Sequence, residues 1–416
     1  MKILIAAAGS YGDIAPYTGL GARLREAGHE VAVTAHDTHT ALIRNAGLEP
    51  RPLPADPRGH GAANLRAAAA FLKDLAPGLI RATEADAPDL LLLSTTTAPL
   101  GAHLAEALGV PALGVPLQPT EPTGDFAPPA GGARSLGRRG NLWAGRLSQR
   151  VVDRLYREPV RLLRAGLGLP PLTARDVRRR RRAADGPVVH GFSPALLARP
   201  ADWRPGLTVA GNWWPHLPPD ARLPAGLADF LASGPPPVFV GFGSMSAGER
   251  GGERLGSVVV RALRRAGVRG VLQAGAAGLS PGEHLADGDM LAVGQVPHEL
   301  LFPHLAAVVH HAGAGTTAAA LRAGVPAVPV PVTADQPFWA ARLAAVGAGT
   351  PPVPFAALSG ADVDAVDRLA APVERAAQDP ALRAAAARVA RRMAGEDGAA
   401  EVLRQAESLA ERPPAT

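Results

Sequence analysis

Short uncharged runs recur along this chain, each followed by a longer segment with helical spacing, and the rhythm appears in both halves. Such alternation places short buried strands side by side with crossover helices between them, which is the layout of parallel α/β sheets. In the first half Lys2 to Ala8 reads as a strand, Ala15 to Gly28 as a helix with a glycine stop, and Glu30 to Thr34 as the next strand. Leu90 to Leu93 and Pro111 to Val115 supply further strands around a helix from Pro99 to Leu108, and Val188 to Phe192 closes the series. A second series follows at Val238 to Phe242, Gly270 to Gln273, Met290 to Val293, Ala307 to His311 and Ala327 to Val330. Between the two lie seven prolines, from Pro215 to Pro237. These features divide the chain into a first domain over 1–212, a proline-rich linker over 213–237, a second domain over 238–394 and a terminal helical segment over 395–416.

The content of the chain removes several classes of function. With 47% hydrophobic and 19% charged residues the chain carries enough apolar side chains to build cores, which excludes a disordered protein. The absence of cysteine removes disulfides, thiolate nucleophiles and cysteine-based metal sites. The net charge of +6 is a small surplus for 416 residues, and the arginine run from Arg178 to Arg182 has no interleaved aromatics, so it reads as a solvated loop and no nucleic-acid partner is expected. The apolar start stops at Gly9-Ser10 with Asp13 just beyond, so it reads as a first strand and not as a signal peptide. The stretch Leu90 to Ala105 is too short and too interrupted to span a membrane. The expectation is a cytoplasmic protein without membrane partner, a monomer or homodimer.

Four strand-to-helix turns carry chemistry. In Val308-Val309-His310-His311-Ala312-Gly313-Ala314-Gly315-Thr316-Thr317 an apolar strand ends, two glycines permit a tight turn, and a helix starts with a threonine at hand. The helix N-terminus offers unpaired N–H groups and a partial positive charge to a phosphate, and His311 stands beside it. The same spacing approximates a dinucleotide fingerprint, with Asp335 as the ribose acid, although that pattern belongs to the first βα turn of a domain. A plain turn with His310 and His311 as packing residues is the third possibility. At Asp335-Gln336-Pro337 a carboxylate and an amide sit on a loop and suit vicinal hydroxyls, or serve as a helix cap and a solvated neighbour. Gly241-Phe242-Gly243-Ser244-Met245 places two glycines and a hydroxyl in the first turn of the second domain. The equivalent turn of the first domain, Gly9-Ser10-Tyr11-Gly12-Asp13, offers a carboxylate instead, which suits a general base or a helix cap and repels a diphosphate.

The ordered set Gly9-Ser10-x-Gly12-Asp13-Ile14-x-Pro16, Arg134-Ser135-Leu136-Gly137, Gly191-Phe192-Ser193-Pro194, Gly241-Phe242-Gly243-Ser244-Met245, Gln295-Val296-Pro297-His298, His310-His311-x-Gly313-Ala314-Gly315-Thr316-Thr317 and Asp335-Gln336-Pro337 resembles family 1 glycosyltransferases of the GT-B fold, over nearly the whole chain. The branch it looks like is that of bacterial natural-product and sterol glucosyltransferase-like enzymes. The resemblance implies two facing Rossmann-like domains with a cleft between them and a C-terminal helix that crosses back. It implies an acceptor held by the first domain and a nucleoside-diphosphate sugar, UDP- or dTDP-linked, held by the second as co-substrate, with no cofactor and no metal. Carried over by position, Asp13 is the catalytic base and Ser10 and Tyr11 lie on the acceptor side. His311, Gly313, Gly315, Thr316 and Ser244 bind the diphosphate, Asp335 and Gln336 the sugar, and Gln295, Val296 and Gly243 the base and ribose.

Departures from the family pattern are local. Ala312 stands where glycine is common and crowds the turn, and Gln295 stands where plant relatives carry a tryptophan. No histidine occurs before Gly28, so Asp13 has to act directly. The implied reaction is inverting transfer of a hexose to a hydroxyl of an apolar small molecule, such as a polyketide, macrolide or glycopeptide aglycone; a sterol or lipid acceptor, a GT-B epimerase, an NAD-linked enzyme and a silent binding protein are the alternatives. The acceptor pocket is expected from mobile loops over 56–76 and 118–143. Asp287-x-Asp289 and Asp362-x-Asp364 fall away from strand ends and read as solvated, and Trp213 and Trp214 as packing residues against the C-terminal helix.

Overall fold

The computed structural model describes residues 1–54, 65–84, 86–183, 186–243, 249–275, 279, 288–358 and 363–411. Among these, β1 (Lys2–Ala6), α1 (Tyr11–Glu26), β2 (Glu30–Ala35), α2 (Thr40–Asn45) and β3 (Glu49–Pro52) begin the first α/β unit. It continues with α3 (Leu65–Glu84), β4 (Leu90–Leu93), α4 (Ala98–Leu108), β5 (Ala112–Gly114), α5 (Gly137–Leu155), α6 (Arg157–Gly166), α7 (Ala174–Ala183), β6 (Val188–His190) and β7 (Leu207–Val209). After α8 (Ala225–Ala232), the second unit runs through β8 (Val238–Gly241), α9 (Glu249–Arg265), β9 (Gly270–Gln273), β10 (Met290–Val293), α10 (His298–Leu301) and β11 (Ala307–His310). It ends with α11 (Ala314–Arg322), β12 (Ala327–Pro329), α12 (Gln336–Ala345), α13 (Val363–Gln378), α14 (Pro380–Met393) and α15 (Gly398–Ala410).

All strand pairs are parallel, in the orders β3-β2-β1-β4-β5-β6-β7 and β10-β9-β8-β11-β12. The central strands are buried on both faces, as helix-covered parallel sheets demand, which is why Leu90–Leu93 is four leucines and Val238–Gly241 carries no polar side chain. Glycine stops act where the alternation places them: Gly109 adopts φ 66° and caps α4 through its amide to the Ala105 carbonyl.

Several segments differ from the sequence reading. Arg178 to Arg182 lies in α7 and not in a solvated loop, because arginine is a good helix former and Arg180 reaches Glu106 on α4. Glu106 is shared with Arg164 of α6, which is 1% exposed, bonds Glu106 at 2.7 Å and donates through Nε to the Pro170 carbonyl. The Arg164 hydrogen bond, followed by that of Arg180, holds the Glu106 pKa down at about 2. Of the expected acceptor-side loops, 65–76 falls in α3 and 137–143 in α5, 118–136 is irregular apart from one 3-10 turn at Pro129–Gly131, and 55–64 lies outside the described residues. The proline-rich stretch carries α8, whose Leu227 packs with Phe239 and Val271.

The two units pack through a shared apolar cluster. Phe126, Phe192 and Trp203 from the first meet Leu321, Phe338 and Trp339 from the second. The chain then returns: Val402 and Ala406 of α15 bury against Tyr17, Leu20 and Trp213 of the first unit. Trp214 instead lies under the Arg322 guanidinium, 4.5 Å from its ring centre. Among the described residues no helix is long and apolar enough to cross a membrane.

Candidate functional site

In a parallel α/β sheet the strand order reverses once, and the loops leaving the two adjacent strands there splay apart and leave a crevice. Here the reversals lie between β1 and β4 and between β8 and β11. The turns after β1, β8 and β11 are the glycine turns singled out in the sequence.

At the first crevice, α1 begins at Tyr11 with Ser10 as its N-cap, so Asp13 is the third residue of the helix. The Ser10 amide and hydroxyl both donate to Asp13 Oδ2 at 2.8 Å, while Oδ1 accepts no hydrogen bond among the described residues. The helix-cap role and the cleft-facing role therefore use different oxygens of one carboxylate. Gly9 permits this geometry: at φ 142° its backbone suits glycine alone, and a Cβ there would lie 2.7 Å from both Cβ and Cγ of Asp13. The Asp13 side chain is open to the cleft yet enclosed by protein around it, and this desolvation raises its pKa against the two Ser10 hydrogen bonds. Across the crevice, Thr95 and Thr96 after β4 are half-buried. They were legible only as an interruption of an apolar run, because their place at the same sheet end as the Asp13 turn depends on β1 pairing with β4.

At the second crevice, the residues expected on a diphosphate converge. The His311 ring stands between Gly243 and Gly313: a Cβ on Gly243 would lie 3.1 Å from its Cε1, and one on Gly313 2.5 Å from its Nε2. Gly243 is at φ 62°, a conformation other residues adopt with strain. Burial pulls the His311 pKa down to about 4, so the ring is neutral at pH 7, and its Nδ1 is buried without a partner. Gly313 is the N-cap of α11, and among the described residues no side chain caps this helix, so the first-turn amides of Ala314, Gly315 and Thr316 have no side-chain partner there. Because β11 is the fourth strand of its sheet in chain order, the turn does not occupy the first-βα position of a dinucleotide fingerprint. Ser244 lies outside the described residues.

His310 is fully buried, and its Nδ1 accepts the Ala312 amide at 3.0 Å. Ala312 crowds the turn as its Cβ requires, standing at φ 62°. The other non-glycine residue with positive φ is Ala334, in the loop after β12. Both left-handed alanines among the described residues thus fall in loops that face the crevice.

Asp335 stands at the N-cap position of α12 without a side-chain capping bond, and its Oδ2 accepts the Trp339 indole N–H at 2.9 Å. Burial raises its pKa, the Trp339 hydrogen bond opposes this, and the negative charge of Asp13 adds to the rise, which puts the two carboxylates within electrostatic reach across the cleft. Gln336 is not a solvated neighbour: it is 9% exposed, and its Oε1 accepts the amides of Val332 and Thr333 at 2.8 and 3.1 Å, so its carbonyl shapes the loop. Gln295 is exposed, and burial raises the Tyr11 pKa while the nearby Gln295 side chain opposes that rise. The Val296 side chain is buried with Leu227 and Phe302, so only its backbone is available to a ligand.

Among the described residues no group of His, Asp and Glu side chains is arranged to hold a metal. Asp289 is not simply solvated, since it pairs with Arg264 at 2.9 Å, and Asp364 faces Arg368 at the surface. Asp287 and Asp362 lie outside the described residues.

Residues 3–113 match the model of the glycosyltransferase family 28 N-terminal domain, and residues 274–409 that of the erythromycin biosynthesis protein CIII-like C-terminal domain. The chain is 36% identical to O-mycaminosyltylonolide 6-deoxyallosyltransferase of Streptomyces fradiae, over 96% of this chain and 95% of that one. It is 31% identical to the sterol 3-beta-glucosyltransferase UGT80A2 of Arabidopsis thaliana, over 97% of this chain and 65% of that one. The fold superposes with a TM-score of 0.65 on the spinosyn rhamnosyltransferase SpnG complexed with thymidine diphosphate, at 20% identity, covering 98% and 100% of the two chains. The ordered motifs, the paired parallel sheets and these likenesses place the chain among the family 1 glycosyltransferases of the GT-B fold, as a hexosyltransferase-type enzyme.

Proposed function

We propose that this enzyme moves a hexose, with inversion, from a UDP- or dTDP-linked sugar to a hydroxyl of an apolar natural-product aglycone. The observation that carries this reading is the placement of Asp13 at one crevice and the His311–Gly313 turn at the other. Asp13 Oδ1, unoccupied by internal hydrogen bonds, takes the proton of the acceptor hydroxyl as that oxygen bonds to the anomeric carbon. The bond from the anomeric carbon to the phosphate oxygen breaks on the opposite face, and the nucleoside diphosphate leaves with the electron pair. The α11 amides, the helix dipole and a neutral His311 N–H meet the charge that develops there. Asp335 Oδ1 and the Asp335–Trp339 pair orient the sugar hydroxyls, and Gln295 with the backbone of Val296 flanks the base.

Replacing Asp13 with Asn tests the assignment. Transfer falls at least about a thousandfold while affinity for UDP or dTDP stays unchanged; an Asn variant that transfers at the parent rate removes Asp13 from the mechanism. The 31% likeness to a sterol glucosyltransferase over nearly the whole chain favours a sterol as the second acceptor class. A panel of macrolides, polyketide aglycones and sterols with both donors separates the two.

A further inference from the structure

His310 is used by no step above, and the geometry points to it as the residue that positions the diphosphate-binding turn. This inference rests on the proposed diphosphate reading of that turn. His310 is the last residue of β11, paired in register with Gly241 on one side and Pro329 on the other, and it is completely buried. Its Nδ1 accepts the Ala312 N–H at 3.0 Å, so Nδ1 carries no proton and the neutral ring holds its hydrogen on Nε2. That Nε2 is itself buried without a partner among the described residues, a cost that a purely packing residue would shed by being apolar.

The bond from residue 310 to residue 312 closes a small ring around His311. It has the form that an Asn or Asp side chain makes with an amide two residues on. It holds Ala312 at φ 62°, a conformation an alanine avoids by itself, and Ala312 is fully buried, so its amide has no water to turn to. With Ala312 locked in this sense, the His311 ring is placed between Gly243 and Gly313, and the chain enters α11 with the open amides directed into the crevice. His310 thus acts through its neighbours: a positioning residue that touches no substrate and sets where the phosphate donors stand.

The test exploits the geometry of the two ring nitrogens. Asn places Oδ1 where histidine places Nδ1, whereas Gln places its oxygen where histidine places Nε2. His310→Asn, His310→Gln, His310→Gln/Ala312→Gly and His311→Ala are titrated calorimetrically with UDP and with dTDP, and each is checked for folding by thermal melting. Positioning through Nδ1 predicts that His310→Asn binds the better of the two nucleotides within about threefold of the parent and that His310→Gln binds about tenfold more weakly. It also predicts that adding Ala312→Gly, which removes the need to hold a strained alanine, recovers most of the loss. A role in packing alone makes Asn and Gln equivalent or leaves the double variant unrescued, and either result overturns the inference. If His311→Ala binds like the parent, the diphosphate reading itself falls; if His311→Ala is weak while Asn and Gln match, only the role of His310 falls.

Discussion

Gly9→Ala probes how the first crevice shapes its carboxylate. The added Cβ would stand 2.7 Å from the Cβ and Cγ of Asp13, where nonbonded carbons settle at about 3.5–4.0 Å, so the aspartate side chain has to move by about 1 Å. A displacement of that size at a catalytic group costs about a hundredfold in rate. At φ 142° the alanine is strained as well, by about 1–3 kcal/mol, which lowers the melting temperature by about 2–10 °C. The donor turn lies in the other sheet and is untouched. Gly9→Ala should therefore lose about two orders of magnitude in kcat, melt somewhat earlier and bind UDP or dTDP as the parent does. The assay is nucleoside diphosphate release with the best acceptor of the panel, beside calorimetry of nucleotide binding. A variant that melts earlier but transfers at the parent rate refutes the argument that Gly9 exists to seat Asp13, and one that loses nucleotide affinity in parallel shows that the two crevices are not separable.

Further outcomes follow from the same contacts. Ser10→Ala removes a hydrogen bond that favours the charged form of Asp13, so the raised pKa rises further; a base works only when deprotonated, and the acid limb of the kcat/KM profile should move to higher pH, an unmoved limb arguing that another group titrates there. Gly243→Ala combines a positive φ with crowding of His311; nucleotide affinity measured by calorimetry should fall about tenfold, and the backbone strain should lower melting by a few degrees. Arg164→Met empties a buried pairing with Glu106 and should cost about 2–3 kcal/mol in urea unfolding, below the full value for a broken buried pair because Arg180 remains. Since the folded state holds the Glu106 pKa at about 2, below its ordinary 4.5, this stabilisation is present above pH 4.5 and fades as the pH falls toward 2; a variant whose stability deficit is independent of pH through that window contradicts the assignment.

Much of the architecture was written in local sequence. Runs such as Val238–Gly241 and Ala307–His310 are too short for helices and too apolar for loops, and the glycines after them, Gly243 and Gly313, shape the turns. Helices without strong apolar periodicity were harder to see: α7 is mostly arginine, and the tie that binds it to the rest of the fold, Arg180 to Glu106, reaches a distant helix. The site divides the same way. Residue type and spacing singled out Asp13, His311 and Asp335, because a carboxylate beside glycines and a histidine before a helix start are local chemical facts.

What local sequence could not decide is which atoms of those residues are already in use. Gln336 spends its carbonyl on the Val332 and Thr333 amides, Val296 turns its side chain into the core, and Asp13 gives one oxygen to Ser10 and keeps the other for the cleft. Gly243 and His311 lie 68 positions apart and meet only because β8 and β11 pair. Composition and spacing determined that this chain makes two parallel sheets with reactive turns at their strand ends. The order of the strands, which no short window of residues encodes, decided which turns face one another, because hydrogen bonding across the sheets and burial of their apolar faces are settled by the chain as a whole.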